Sequence, residues 1–187
     1  VLATKKPLIL STGTSSFKEI KSVMSFIRKK NLKNKISLLY CVSNYPASFE
    51  DFNLNNISIL KKEFNCTVGL SDHSINNKVA IAAIGAGAEI FEKHIAIKAS
   101  KKSPDFKFSL LENQIGEYRK CLNETFEMFK KNKFYRNKSE KFYKNFRRSI
   151  YAIRNIRKGD LFTQNNIKLL RPLKGIGPEY YKKIINK

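Results

Sequence analysis

The chain has 187 residues, 42 % of them hydrophobic, and a formal charge of +22 from 37 Lys and Arg against 15 Asp and Glu. That length supports one good-sized domain, or one and a part, and no apolar run reaches the ~18 residues that a membrane-spanning helix needs. Val1-Leu2-Ala3-Thr4 followed by Lys5-Lys6 lacks the charged start and long apolar core of a signal peptide, and the three widely spaced cysteines, Cys41, Cys66 and Cys121, match neither a disulfide framework nor a zinc knuckle. A reducing, cytoplasmic setting is expected. The charge raises the question of nucleic acid. Most of it is Lys spread over helix faces and the C-terminal third, alongside abundant Asn and Ile, as an AT-rich coding sequence gives without selection for binding. Part of it can steer an anionic substrate towards a cleft.

Pro7-Leu8-Ile9-Leu10-Ser11-Thr12-Gly13 is a continuous apolar run that stops at a polar Gly turn, the pattern of a buried parallel strand. Ser16-Phe17-Lys18-Glu19 is a capping box. Ile20, Val23, Met24 and Ile27 follow at helical spacing, and Lys29 and Lys30 suit the helix C-terminus. A second strand spans Ile36 to Ser43. After a loop with Asn44-Tyr45-Pro46 and Glu50-Asp51, a helix begins near Asn53 with Ile57, Leu60 and Phe64 on one face. The third strand lies around Thr67 to Leu70, and its helix, Val79 to Ala86, is apolar nearly all round and so expected to be buried. The fourth strand runs from Glu89 to Ile95. A polar loop with Ser103-Pro104-Asp105 leads to a long helix, about Leu111 to Lys130, with Ile115, Tyr118, Leu122, Phe126 and Phe129 as its inner stripe.

Four strand–helix units predict a parallel sheet with right-handed crossovers. Their repeat of roughly 20–30 residues fits a (β/α)8 barrel or a doubly wound sheet. No G-x-G-x-x-G or G-K-[ST] sequence is present, which weakens a nucleotide-binding version. Ser11, Ser43, Tyr45, Ser71, His73, Glu92 and His94 fall at the C-terminal ends of strands, the edge that carries the active site in both folds. The chain's two histidines close Gly69-Leu70-Ser71-Asp72-His73 and Glu92-Lys93-His94. Strand alternation puts Ser71 with His73 and Glu92 with His94. Two imidazoles and a carboxylate in one space suit Mn, Fe or Zn; the other reading is a hydrogen-bonded histidine at each strand end.

Lys131 to Asn145 is basic, with Tyr and Phe interspersed and no period, and reads as a linker. Phe134, Tyr135, Phe142, Tyr143 and Phe146 either stack on bases or pin the linker to a neighbouring surface. From Arg147 a small module begins. Ser149-Ile150-Tyr151-Ala152-Ile153 alternates like a strand, Lys158-Gly159-Asp160 is a turn, Thr163 caps a helical turn to Ile167, and Leu169-Leu170-Arg171-Pro172 is extended. The expected organisation is 1–130, a linker over 131–146, and a separate module over 147–187.

The chain resembles the sialic acid synthase family. The resemblance rests on Lys6-Pro7 with Ser11-Thr12-Gly13, Cys41-Val42-Ser43-Asn44-Tyr45-Pro46-Ala47, Gly69-Leu70-Ser71-Asp72-His73, Glu92-Lys93-His94 and Pro104-Asp105 with Phe108-Ser109-Leu110. Arg147-Arg148-Ser149, Lys158-Gly159-Asp160 and Arg171-Pro172 with Gly175-Ile176 continue it. Each motif is weak alone, but they run in family order over nearly the whole chain. The resemblance implies an α/β fold: the second half of a (β/α)8 TIM barrel, followed by a small β-rich antifreeze-like (SAF) domain. It implies a transferase that condenses phosphoenolpyruvate with an N-acyl amino sugar such as N-acetylmannosamine, forming a C–C bond and releasing phosphate. His73 and His94 would hold Mn2+, or another divalent cation such as Mg2+ or Co2+. Lys6, Ser11, Ser43 and Ser71 would contact phosphoenolpyruvate. Tyr45, Glu92 and Asp105 would face the reacting centre, with Glu92 transferring a proton. Arg171 would reach the N-acyl sugar in the partner's site of a domain-swapped homodimer.

Three departures stand out. Ser43 replaces the Asn of many relatives, Ser103-Pro104-Asp105 replaces Gly-Pro-Asp, and Arg171-Pro172-Leu173 replaces Arg-Pro-Gly. Four units cannot close an eight-stranded barrel, which needs ~200 residues or more, so this stretch is expected to be part of a larger synthase and inactive alone. Phe146-Arg147-Arg148-Ser149 and Pro178-Glu179-Tyr180-Tyr181 lean towards a pseudaminic acid synthase acting on a 6-deoxy diacetamido altrose. A basic nucleic-acid-binding protein is the remote alternative; it leaves both histidines unexplained. No membrane partner is expected.

Overall fold

The computed structural model describes residues 2–4, 6–30, 36–131, 133–134 and 136–187. The chain forms two compact units, Val1–Lys130 and Lys131–Lys187. Among the described residues, no helix is long and apolar enough to cross a membrane.

The first unit is a run of strand–helix repeats: β1 (Leu8–Ser11), α1 (Phe17–Lys29), β2 (Ile36–Cys41), α2 (Asn55–Phe64), β3 (Thr67–Asp72), α3 (Lys78–Gly85) and β4 (Phe91–Lys93). The strands form one parallel sheet in the order β1-β2-β3-β4. The capping box forms as expected, with the Ser16 N–H donating to Glu19 Oε2 at 2.8 Å. Leu38 and Tyr40 of β2 and Val68 and Leu70 of β3 share one sheet face and a single apolar cluster. Met24 and Ile27, Ile57 and Leu60, and Ala80 and Ala83 join it from the three helices. Tyr118 and Leu122 join it from α4 (Ile115–Phe129). Helices α1 to α4 therefore cover one face. Alternation turns Ile9, Ser11, Leu39, Cys41, Gly69 and Ser71 to the other, where Ile9 stands exposed. A doubly wound sheet would carry helices on both faces; this one is a parallel-strand half-barrel.

Several boundaries differ from the sequence reading. The expected fourth strand is broken at His94 into β4 and β5 (Ile95–Ala96). Leu111, expected near the start of the helix, instead belongs with Leu110 to β6 (Leu110–Leu111), which pairs in parallel with β5. That displaces the start of α4 to Ile115. The Ser103-Pro104-Asp105 loop is a 3-10 helix, Pro104–Phe108, with the proline near its N-terminus, where a missing N–H costs nothing. The apolar stripes are narrower than the spacing suggested. Val23, Ile81, Ile115 and Phe129 are exposed at their margins.

The Tyr118 hydroxyl is buried, with no hydrogen-bond partner among the described residues. Burial first, and then the Asp72 charge, hold it well above the ordinary phenol range. A phenol whose folded pKa is raised stabilises the fold fully below the unfolded value of about 10, and that stabilisation is lost as pH climbs above it. Tyr118→Phe is therefore expected to match or exceed the parent's melting temperature at pH 7, since it removes an unpaired hydroxyl worth about 1–2 kcal/mol. It should also abolish part of the parent's loss of stability above about pH 10. Parallel melts at the two pH values check this.

The second unit is built on β7 (Ser149–Ala152) and β8 (Ile167–Leu170), paired antiparallel with Ser149 opposite Leu170. Gly159, at φ +96°, makes the turn between them, and the Arg157 N–H donates to Asp160 Oδ2 at 2.8 Å. Thr163 caps its turn by accepting from the Asn165 N–H at 3.3 Å. The stretch read as an aperiodic linker contains α5 (Glu140–Tyr143) and a 3-10 turn, Lys144–Phe146. Phe142, Tyr143 and Phe146 pack on one another, with ring centroids 5.6–5.9 Å apart. Tyr135 lies outside the described residues.

Candidate active site

The carboxyl edge of the half-barrel gathers the polar residues, because parallel strands all end on the same side. Register places Cys41 opposite Ser71, and Ser71 opposite Glu92. Across that step Ser71 Oγ donates to Glu92 Oε1 at 2.6 Å. Ser71 is buried, whereas Glu92 is open to solvent.

His73 follows the end of β3 and is buried. Its Nδ1 lies 2.8 Å from the Val42 carbonyl. A carbonyl can only accept, so Nδ1 carries a proton, and the neutral tautomer with that bond has its lone pair at Nε2. His94 sits in the break between β4 and β5, half-buried, with Nδ1 3.5 Å from Asp105 Oδ2. The two imidazole centroids are 5.2 Å apart. Tyr45 packs on His73 at 4.2 Å and stands 6.2 Å from His94. Phe108 closes the group at 5.1 Å from His94 and 5.6 Å from Tyr45. The loop carrying Tyr45 is tied down by the Ala47 N–H, which donates to the His73 carbonyl at 3.0 Å.

Among the described residues, no three His, Cys, Asp or Glu side chains converge on one point. Two imidazoles do fit a divalent cation. His73 has an acceptor at Nδ1, the Val42 carbonyl, and the Asp105 carboxylate approaches His94 Nδ1 to 3.5 Å; a partner at Nδ1 is the usual way in which a ligating histidine is oriented with Nε2 towards a metal.

The structure thus brings Tyr45, Ser71, His73, Glu92, His94 and Asp105 to one edge. Ser11 ends β1 at the same edge, exposed, and Ser43 follows β2 with Oγ 3.8 Å from Cys41 Sγ. Lys6 is not brought there. It precedes β1, on the amino side, about 17 Å of extended chain from Ser11. Arg171 belongs to the second unit, where the Pro172 carbonyl beside it accepts from Ser149 Oγ at 3.0 Å and Tyr151 Oη at 2.7 Å.

Sequence reasoning passed over three groups. Phe108 was seen only as part of a motif. Thr12 is buried and stitches β1 to β2, its N–H donating to the Leu39 carbonyl at 2.8 Å and its Oγ1 accepting from the Cys41 N–H at 3.2 Å. Asp72 and Lys93 form a buried ion pair at 3.0 Å. Their signal was in plain view, since each is next to a histidine, but opposite charges in sequence do not announce that they are buried together.

The NeuB family model matches residues 1–134, and the SAF domain model matches 147–187. The pseudaminic acid synthase of Campylobacter jejuni is 35 % identical over 185 residues, 98 % of this chain and 53 % of that protein. The N,N'-diacetyllegionaminic acid synthase of the same organism is 32 % identical over 97 % of this chain and 55 % of that protein. The solved N-acetylneuraminic acid synthetase of Leptospira borgpetersenii superposes with a TM-score of 0.69 at 30 % identity, covering 76 % of this chain and 49 % of that one. The chain spans about half the length of the curated relatives it matches.

Proposed function

The chain belongs to the NeuB family, and from that premise we propose that it forms part of a nonulosonic acid synthase condensing phosphoenolpyruvate with an N-acyl amino sugar. The observation that carries the proposal is the convergence of His73, His94, Tyr45, Asp105 and the Ser71–Glu92 pair at the carboxyl edge of a parallel sheet. The half-barrel is the second half of a (β/α)8 barrel in this reading, and the exposed face bearing Ile9 is barrel interior. The three cysteines are free thiols, in keeping with a reducing, cytoplasmic setting.

In the reaction, carbon 3 of phosphoenolpyruvate bonds to the sugar aldehyde, water adds at carbon 2, and phosphate leaves by C–O cleavage. A divalent cation such as Mn2+ held by His73 and His94 would supply Lewis-acid polarisation of that aldehyde. The Val42 carbonyl holds the His73 ring through Nδ1, and Asp105 faces His94 Nδ1 at 3.5 Å, so Nε2 of each ring is the nitrogen that would meet the cation. Ser11, Ser43 and Ser71 meet the anionic groups of phosphoenolpyruvate. Ser71 has one proton and gives it to Glu92. An arriving anion competes for that proton, which frees Glu92 to take one from the water that adds at carbon 2. Tyr45 and Phe108 wall the reacting atoms from bulk water. Arg171, through a domain-swapped homodimer, reaches the N-acyl group, where a planar guanidinium suits multi-point hydrogen bonding.

The second reading is narrower: the sugar is the 6-deoxy diacetamido altrose and the product pseudaminic acid. The identity to the Campylobacter pseudaminic acid synthase over nearly the whole chain favours it. The test is phosphate release from phosphoenolpyruvate with Mn2+ by the longest reading frame that contains this chain. N-acetylmannosamine is offered in one tube and the altrose in another. Release in either establishes the synthase and identifies its sugar. Release in neither, from folded protein with Mn2+ bound, overturns the proposal.

A further inference from the structure

Asp72 and Lys93 are register partners at the ends of β3 and β4. Their side chains are 0 % and 4 % exposed, and Lys93 Nζ lies 3.0 Å from Asp72 Oδ2. Lys93 Nζ also donates to the Ser74 carbonyl. Asp72 Oδ1 accepts from the Ser74 N–H at 2.9 Å, so the chain leaving His73 is folded back onto the pair. Each charge is adjacent in sequence to one of the two histidines, and alternation along the strand sets it on the opposite side from that neighbour.

Such a pair does little for stability. Desolvating two charges cancels most of their attraction, and well-packed apolar residues of similar volume often do as well or better. What it has that an apolar pair lacks is direction. β4 is only three residues long and breaks at His94, so little backbone ladder is left to set where that histidine stands relative to His73. A directional bond at the last paired position supplies the missing constraint.

We infer that the Asp72–Lys93 pair is a positioning device that sets the separation of His73 and His94 for a divalent cation. This rests on the metal reading of the two histidines proposed above. Neither residue touches the cation; both act through the strand ends.

The test is Mn2+ affinity, measured by calorimetry on the metal-free, full-length protein well below its melting temperature. Asp72→Asn with Lys93→Met removes both charges while keeping the acceptor for the Ser74 N–H. This double variant is expected to fold and to bind Mn2+ about 10–100-fold more weakly. Lys93→Arg, which keeps the charge but not the geometry, is expected to weaken binding as well, and it serves if the double variant does not fold. Mn2+ affinity equal to the parent's in either folded variant overturns the inference and leaves the pair a purely structural one. His73→Ala is the reference for the underlying reading. A parent that binds no Mn2+, or that binds it equally after His73→Ala, overturns the metal reading and this inference together.

Discussion

His94→Ala in the full-length protein is expected to lower phosphate release from phosphoenolpyruvate by at least about a thousandfold while leaving the fold intact. The size follows from the several kcal/mol that a Lewis acid contributes to charge stabilisation in a transition state, at 1.36 kcal/mol per tenfold in rate. The fold should survive because the His94 side chain is about one-third exposed and Nδ1 has only a 3.5 Å approach to Asp105 to lose. His73→Ala should cost as much activity but is not as benign. His73 is buried and supplies the donor for the Val42 carbonyl at 2.8 Å. Its loss leaves that acceptor unpaired, at about 1–3 kcal/mol. Sequence reasoning treated the two histidines alike; burial separates them. Phosphate assays beside thermal melts check both variants, and full activity in either removes the metal-ligand assignment.

Gly69→Ala is expected to be strongly destabilising, by about 3 kcal/mol or more, near the upper end of what overpacking costs. A Cβ on Gly69 would stand 2.2 Å from the Ile90 carbonyl oxygen, 2.8 Å from its carbon and 2.7 Å from Leu39 Cδ2. Two of these are backbone atoms and cannot rotate away. Relief would require moving residues 89–90 away from β3. That strains the bonds from the Leu70 N–H to the Ile90 carbonyl at 2.8 Å and from the Glu89 N–H to the Val68 carbonyl at 2.9 Å. The Ser71–Glu92 bond lies two residues further along the same seam. A loss of 3 kcal/mol is a large share of the 5–15 kcal/mol that holds a typical protein folded. Urea unfolding measures it, and a midpoint within error of the parent would show that the seam tolerates the methyl group.

The strand–helix order of the first unit was legible in the sequence because its two periodicities are different and clean. Leu8-Ile9-Leu10 and Ile36 to Cys41 are short apolar runs. Ile57, Leu60 and Phe64 recur at helical spacing and are all buried. The site's edge was legible for a related reason: polar residues at the ends of parallel strands must share one side. The choice between a half-barrel and a doubly wound sheet was not legible. Both folds have the same repeat, and only the gathering of α1 to α4 on the face of Leu38, Tyr40, Val68 and Leu70 separates them. Family motifs, not periodicity, pointed to the barrel.

The rest depended on contacts that periodicity does not encode. The helix was expected from about Leu111 because a two-residue strand has no period to read; the pairing of Leu110–Leu111 with Ile95–Ala96 made it a strand. Asp105 is far from His94 in an extended chain and reaches it only because a 3-10 turn folds the loop back. Lys6 fell to the wrong edge because a motif gives order along a strand but not the end from which a side chain can reach. Residue identity and spacing determined which groups this protein could use: two imidazoles, a carboxylate and a row of hydroxyls at strand ends. Tertiary structure decided which of them meet and how each is held, because the tautomer of His73, the partner of Glu92 and the burial of Asp72 with Lys93 are set by neighbours distant in sequence, whose positions depend on the packing of the whole sheet.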